Sequence, residues 1–165
     1  MTQEEHRYVH PPVQIEEMDE SEIPSASALV REVFLDFVAP QYSDEGQRTF
    51  LSYIEPEALL ARLVKRHKVF VARADGRPVG LIEFRERNHI SLLFVRREFQ
   101  GQGIARRLLT FVLARIAAQS VTVNASPNAV LAYRDLGFEA AGEEQMQNGI
   151  RFIPMVLHLP RAFTG

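Results

Sequence analysis

Apolar residues recur along this chain with two different periods, and the change between them near Lys68 divides it. Val13-Gln14-Ile15-Glu16 alternates apolar with polar, as a short half-buried strand does. From Ser25 to Val38 the spacing lengthens: Leu29, Val33, Phe34 and Phe37 share one helical face behind a serine suited to capping, and Pro40 ends the run. Ser43-Asp44-Glu45 starts a second helical piece carrying Phe50, Leu51 and Ile54. Glu55-Pro56-Glu57 starts a third, with proline in a first turn where its missing N–H is no loss.

Beyond Lys68, Val69-Phe70-Val71-Ala72 predicts a strand, Asp75-Gly76 a turn, Val79 to Arg85 a second strand and His89 to Val95 a third. Gly103 to Ala118 is the clearest helix, with Ile104, Leu108, Phe111, Val112 and Ile116 at spacings of three and four. Val121-Thr122-Val123 reads as a strand, Pro127 to Leu136 as a short helix and Phe138 to Ala141 as another strand. Ile150 to Leu159 closes the chain as a long strand interrupted by Pro154. Helices, an antiparallel meander, then alternating strands and helices with a final hairpin describe a mixed α/β sheet covered on both faces. Residues 1–12 read as a flexible leader and 13–165 as a single domain, with no repeat or low-complexity linker between.

Composition narrows the partners. The chain has 165 residues and a formal charge of −2, which gives no basic footprint for nucleic acid. It has no cysteine, so disulfides, thiolate nucleophiles and cysteine-based zinc sites are excluded. His6, His10, His67 and His158 are scattered without ligand spacing, so no metal site is expected. No run of about 18 apolar residues suggests a membrane span, and the polar start lacks the apolar centre of a signal peptide. A cytoplasmic protein is the expectation. The acidic group Glu16, Glu17, Asp19, Glu20 and Glu22 reads as a solvated face.

The chemistry sits in HISLLFVRREFQGQGIARRLL, residues 89–109. A strand runs into Gln100-Gly101-Gln102-Gly103-Ile104-Ala105, which opens an amphipathic helix. A helix start presents unpaired N–H groups and about half a positive charge, a ready phosphate site. Glycines let the backbone come close to a ligand, and Arg96, Arg97, Arg106 and Arg107 add charge of the right sign. The same glycines also serve as a plain strand-to-helix turn. No Gly-Lys-Ser/Thr follows, and the loop does not open a βαβ unit, so neither a P-loop nor a dinucleotide fingerprint applies.

Gln100-x-x-Gly103-x-Ala105 after a hydrophobic strand resembles the acetyl-CoA pyrophosphate loop of the GNAT superfamily of N-acetyltransferases. Ala129, Tyr133 and Gly137-Phe138 match that family's second signature, and the element order agrees from Val13 to Leu159. The resemblance implies a mostly antiparallel sheet of about six or seven strands, splayed between the strands 89–95 and 120–124. It implies acetyl-CoA as cosubstrate, with the backbone of Leu93, Phe94 and Val95 pairing the pantetheine arm. The loop residues Gln100 and Gly101 and the amides of Gln102, Gly103, Ile104, Ala105 and Arg106 would bind the pyrophosphate. Ser126 stands where the family often has asparagine. It also suits a helix cap before Pro127, and Asn124 or Asn128 would then supply the amide contact.

Acetyl transfer to an amine requires a base for the amine and a proton donor for the departing thiolate. The resemblance implies Tyr133 as donor. His89 occupies the position where several members carry a glutamate base, and an imidazole titrates near neutrality. Matching Ile82 and Phe84 to an apolar face of Ile90, Leu92 and Phe94 requires an odd-length turn at Asn88. Glu83 and Arg85 then share a face with His89 and Ser91, making Glu83 the second base candidate. A two-residue turn would bring Glu86 there instead. The acceptor pocket would be built from the first two helices, with Tyr42 its best loop residue among Phe34, Phe37, Phe50 and Tyr53. The expected partner is a small-molecule or peptide amine, and a homodimer is compatible with the chain. The competing readings are a protein N-acetyltransferase and a non-catalytic acyl-CoA sensor.

Overall fold

The structure is a computed structural model, and it describes residues 11–85 and 88–160. Most of the expected leader, the alternative base Glu86 and the last five residues of the expected domain lie outside the described residues. Strands β1 (Val13–Glu17), β2 (Lys68–Ala74), β3 (Arg77–Arg85), β4 (His89–Val95), β5 (Ser120–Ala125), β6 (Glu139–Ala140), β7 (Gln145–Gln147) and β8 (Ile150–His158) form one eight-stranded sheet. Its order is β1-β2-β3-β4-β5-β8-β6, with β7 pairing β8 off that path. Every pairing is antiparallel except β4 with β5. This is the expected mixed, mostly antiparallel architecture, with eight strands where six or seven were expected.

Among the described residues five helices cover both faces. On one side α1 (Ile23–Phe37), α2 (Asp44–Tyr53) and α3 (Pro56–Val64) bury Leu29, Val30, Val33 and Leu59 against Val69, Val71, Leu81 and Leu92. On the other, α4 (Ile104–Leu113) and α5 (Val130–Asp135) pack Ile104, Leu108, Val112 and Tyr133 on Ile82, Phe84, Ile90, Val121 and Val123. No helix among the described residues is long and apolar enough to cross a membrane.

Several boundaries differ from the sequence expectation. Helix α1 starts at Ile23, with Pro24 in its first turn. Helix α1 has no side-chain cap; Asp19 caps the single turn Glu20–Glu22 ahead of it, its carboxylate accepting from Ser21 N–H while the Glu22 carboxylate accepts from Asp19 N–H. Helix α4 ends at Leu113 rather than Ala118. Ile116 nevertheless packs on the same core, so the periodicity reported burial beyond the last helical turn. Pro154 does not interrupt β8. Its carbonyl accepts from Ala141 N–H on the β6 side, so its nitrogen faces the same way, between the stretches paired to β7 and β6. The N–H that proline lacks would have bonded back to Ala141 O, and β6 ends at Ala140, one residue before that rung.

The β3–β4 hairpin holds the main correction. Arg85 pairs with His89 and Phe84 with Ile90, as the odd-length turn requires. A bulge at Ser91 then shifts the register, so Glu83 faces Leu92 and Ile82 faces Leu93. Ile90 consequently joins the α4 core while Leu92 joins the α1–α3 core. The expected single apolar face of Ile90, Leu92 and Phe94 does not exist.

Candidate active site

Strands β4 and β5 are paired only at His89–Thr122 and Ile90–Val123. Beyond these rungs they diverge, and a cleft of about 680 Å³ opens between them. One wall is β4 from Ser91 to Val95; the other carries Asn124, Ser126, Asn128 and Tyr133. Gly101, Gly103, Ile104, Ala105 and Arg106 close one end with the start of α4.

That end is shaped by two left-handed glycines. Gly101 and Gly103 have φ of 77° and 78°, a conformation that side chains other than glycine resist. A Cβ on either would meet nothing within 4 Å, so the loop faces open space. The first N–H groups of α4 have no intrahelical acceptor and point that way. Gln100 Nε2 donates to Val95 O at 3.0 Å, tying the loop to the end of β4. Gln102 Nε2 donates to Glu98 O and its side chain is turned from the cleft. Of the basic residues expected to add charge, Arg106 lines the cleft, its guanidinium also donating to Asp135 O. Arg97 stands 5.8 Å from the Phe37 ring. Arg96 is engaged by Pro78 O and Glu32, and Arg107 by Val13 O.

On the β5 wall, Ser126 makes no capping bond; its hydroxyl donates to Asn128 Oδ1 at 2.7 Å. Asn128 Nδ2 donates to Phe37 O at 2.7 Å, linking α1 to the segment before α5 across the cleft. Asn124 lines the wall beside them. Tyr133 is buried edge-on against Phe138, with ring centroids 5.4 Å apart. Its hydroxyl has no hydrogen-bond partner among the described residues, and burial pushes its pKa up.

The two base candidates lie off the cleft lining. His89 sits on the rung farther from the splay, one residue behind the Ile90–Val123 pair at which the strands part, with Nδ1 2.8 Å from Thr122 Oγ1. Glu83 is fully buried under α3. Its carboxylate accepts from Arg62 Nε at 2.8 Å and Nη2 at 2.9 Å, stands 3.0 Å from His67 Nδ1 and 3.4 Å from the Tyr53 hydroxyl. The Tyr53 pKa is raised by burial and then by the Glu83 charge. Arg62, His67 and Tyr53 were not read as a group from sequence; the available signal was Arg62 three residues after the core residue Leu59. Ser91, on the cleft wall, keeps its Oγ buried beside the Tyr53 hydroxyl, where it acts to lower the Tyr53 pKa against the two larger effects. Among the described residues no three His, Cys, Asp or Glu side chains are grouped to hold a metal.

Residues 38–159 match the family described as Acetyltransferase (GNAT) domain. The chain belongs to the GNAT acetyltransferase family. Solved structures share its fold. A GCN5-related N-acetyltransferase from Rhodopseudomonas palustris is 23% identical with a TM-score of 0.78, over 92% of this chain and 98% of that one. PaiA N-acetyltransferase from Thermoplasma acidophilum, solved with coenzyme A, is 17% identical with a TM-score of 0.73, over 90% and 99%. N-acetylglutamate synthase from Neisseria gonorrhoeae, solved with coenzyme A and N-acetyl-glutamate, is 19% identical with a TM-score of 0.67, over 93% of this chain and 36% of that one. No curated protein sequence matches the chain. Within the GNAT frame, the diverging strands and the α4 start occupy the expected place in the element order.

Proposed function

We propose that this GNAT protein transfers the acetyl group of acetyl-CoA to a primary amine by direct attack in the wedge between β4 and β5. One observation carries the reading: a glycine-bearing helix start, a strand edge without a β5 partner and an unpartnered tyrosine hydroxyl line the same cleft. The coenzyme A held by two structural relatives supports the choice of donor.

The pyrophosphate would lie on the amides of residues 102–106, where helix partial charge and Arg106 favour an anion. The pantetheine arm would pair with Leu93, Phe94 and Val95 in place of a neighbouring strand. The neutral amine attacks the thioester carbonyl carbon, the C–S bond breaks, and the thiolate takes the Tyr133 proton. Burial keeps Tyr133 protonated and also weakens it as an acid. A thiolate leaving into the same low-dielectric cleft is desolvated too, which raises its proton affinity and offsets that weakness. The amine proton leaves on the α1–α3 side, to His89 directly or through water, with Glu83 behind Tyr53 as second acceptor.

Thiol release on mixing the protein with acetyl-CoA and primary amines tests the reading. Release that requires both substrates is the expected result. Tight acetyl-CoA binding with no release for any amine would leave an acyl-CoA sensor.

A further inference from the structure

Helix α2 bridges the wedge on the side away from α4. At one end of the bridge Phe50 meets Phe94 of β4, ring centroids 5.9 Å apart. At the other Gly46 packs backbone to backbone on Gly149, at the tip of the β7–β8 hairpin, where a Cβ on either glycine would overlap the other's backbone. Thr49 Oγ1 donates to Asn148 O at 2.8 Å, and the Tyr42 hydroxyl to Arg151 O at 3.4 Å. Since β8 pairs β5 and β4 stands across the splay, these contacts roof the cleft. An extended polypeptide lying across this side would have to displace these contacts.

The chamber under the roof is aromatic. Phe37, Tyr42, Phe50 and Phe94 line the cleft and are half-buried. Phe50 also stacks on the buried Phe34 at 4.1 Å. Asp135 is the one acidic residue lining the cleft among the described residues, and it stands with Arg106 at the α4 end. A polyamine would bring a second cation into this chamber without a carboxylate to receive it, which a low-dielectric site disfavours strongly. An amino acid would bring a carboxylate whose nearest lining cation, Arg106, belongs to the pyrophosphate end. An amino sugar would bring several hydroxyls, while the polar side chains Asn124, Ser126 and Asn128 stand on the β5 wall, away from the Phe50 and Phe94 rings, and two of them already bond each other. The buried Ser91 hydroxyl lies against that of Tyr53, and even where it donates there its oxygen keeps the lone pairs to accept one amine N–H.

From this we infer that the acceptor is a small monoamine on an aryl or alkyl body, its ring against Phe50 and Phe94 and its nitrogen at Ser91. This rests on the acetyl-transfer reading for its chemistry but makes a separate claim about binding. The test measures binding to the protein–CoA complex by calorimetry and acetylation by thiol release. The probes are 2-phenylethylamine, spermidine, glucosamine and a lysine-containing peptide. The aryl amine should bind and be acetylated with kcat/KM at least about tenfold above the others, the scale on which an apolar pocket discriminates. Phe50→Leu should raise its KM about threefold to tenfold through the lost ring contact, with CoA affinity unchanged. Preference for spermidine, the sugar or the peptide, comparable binding of all four, or no binding of the aryl amine would overturn the inference. Selective aryl-amine binding without thiol release would instead overturn catalysis and leave the pocket assignment standing.

Discussion

Arg62 and Glu83 form a salt bridge of 2.8 Å in which the carboxylate is wholly buried and the guanidinium nearly so. It joins α3 to the centre of the sheet, and the same guanidinium lies 3.7 Å over the Tyr53 ring and donates to Tyr53 O. Removing Arg62 leaves the buried carboxylate with only His67 and the Tyr53 hydroxyl beside it and no permanent cation. Arg62→Ala should therefore cost about 3–5 kcal/mol of folding stability, read from the denaturant midpoint. Glu83→Gln should cost less, because an amide oxygen still accepts from the guanidinium. A loss below about 1 kcal/mol for Arg62→Ala, the range of surface pairs, would contradict this account.

Acid stability should depend on the link between β2 and the turn before α1. Arg73 bonds both Glu22 and Glu16, and its hydrogen bond to Glu22 lowers that carboxyl's pKa, with burial opposing. A depressed folded-state pKa means the unfolded chain binds the proton more readily. The contribution is therefore complete above the unfolded value, about 4.3, and is lost as pH falls through the folded value. Arg73→Ala should flatten the acid limb of stability against pH below that point. An unchanged acid limb would show that the pair contributes nothing.

Tyr133→Phe keeps the edge-on packing against Phe138 and deletes only the unpartnered hydroxyl. Turnover should fall by about 10²- to 10⁴-fold, the usual worth of a general acid, while CoA affinity stays close to wild type. Near wild-type turnover would make Tyr133 a packing residue, with water as the proton source.

The base assignment separates by pH profile. His89→Ala should remove or displace the ascending limb of kcat/KM, set by an imidazole of unperturbed pKa about 6.5, with CoA binding retained. Glu83→Gln should disturb the limb only through its neighbours, since the carboxylate lies behind Tyr53. A profile unchanged in His89→Ala but lost in Glu83→Gln would transfer the role to the buried carboxylate.

The parts of this site that were legible in sequence are those with local causes. Gly101 and Gly103 before a periodic apolar stripe announce a left-handed turn into a helix, and both adopt positive φ. The odd-length hairpin followed from matching Phe84 with Ile90. The bulge at Ser91 was hidden because helices cover both faces of β4, making it nearly continuously apolar, and alternation cannot then assign faces. The Glu83 cluster was hidden by sequence distance, 21 residues to Arg62 and 16 to His67. The roof was hidden because a glycine in α2 carries no sign of the hairpin glycine it meets.

Calorimetry on Gly103→Glu decides whether the wedge and the α4 start hold acetyl-CoA. The new carboxylate would project into the open space before the α4 amides, where the pyrophosphate should lie. Gly103→Ala serves as control, carrying only the left-handed backbone penalty of about 1 kcal/mol. CoA affinity should stay near normal in folded Gly103→Ala and fall below measurement in folded Gly103→Glu. Unchanged CoA affinity in a folded Gly103→Glu protein would contradict that placement.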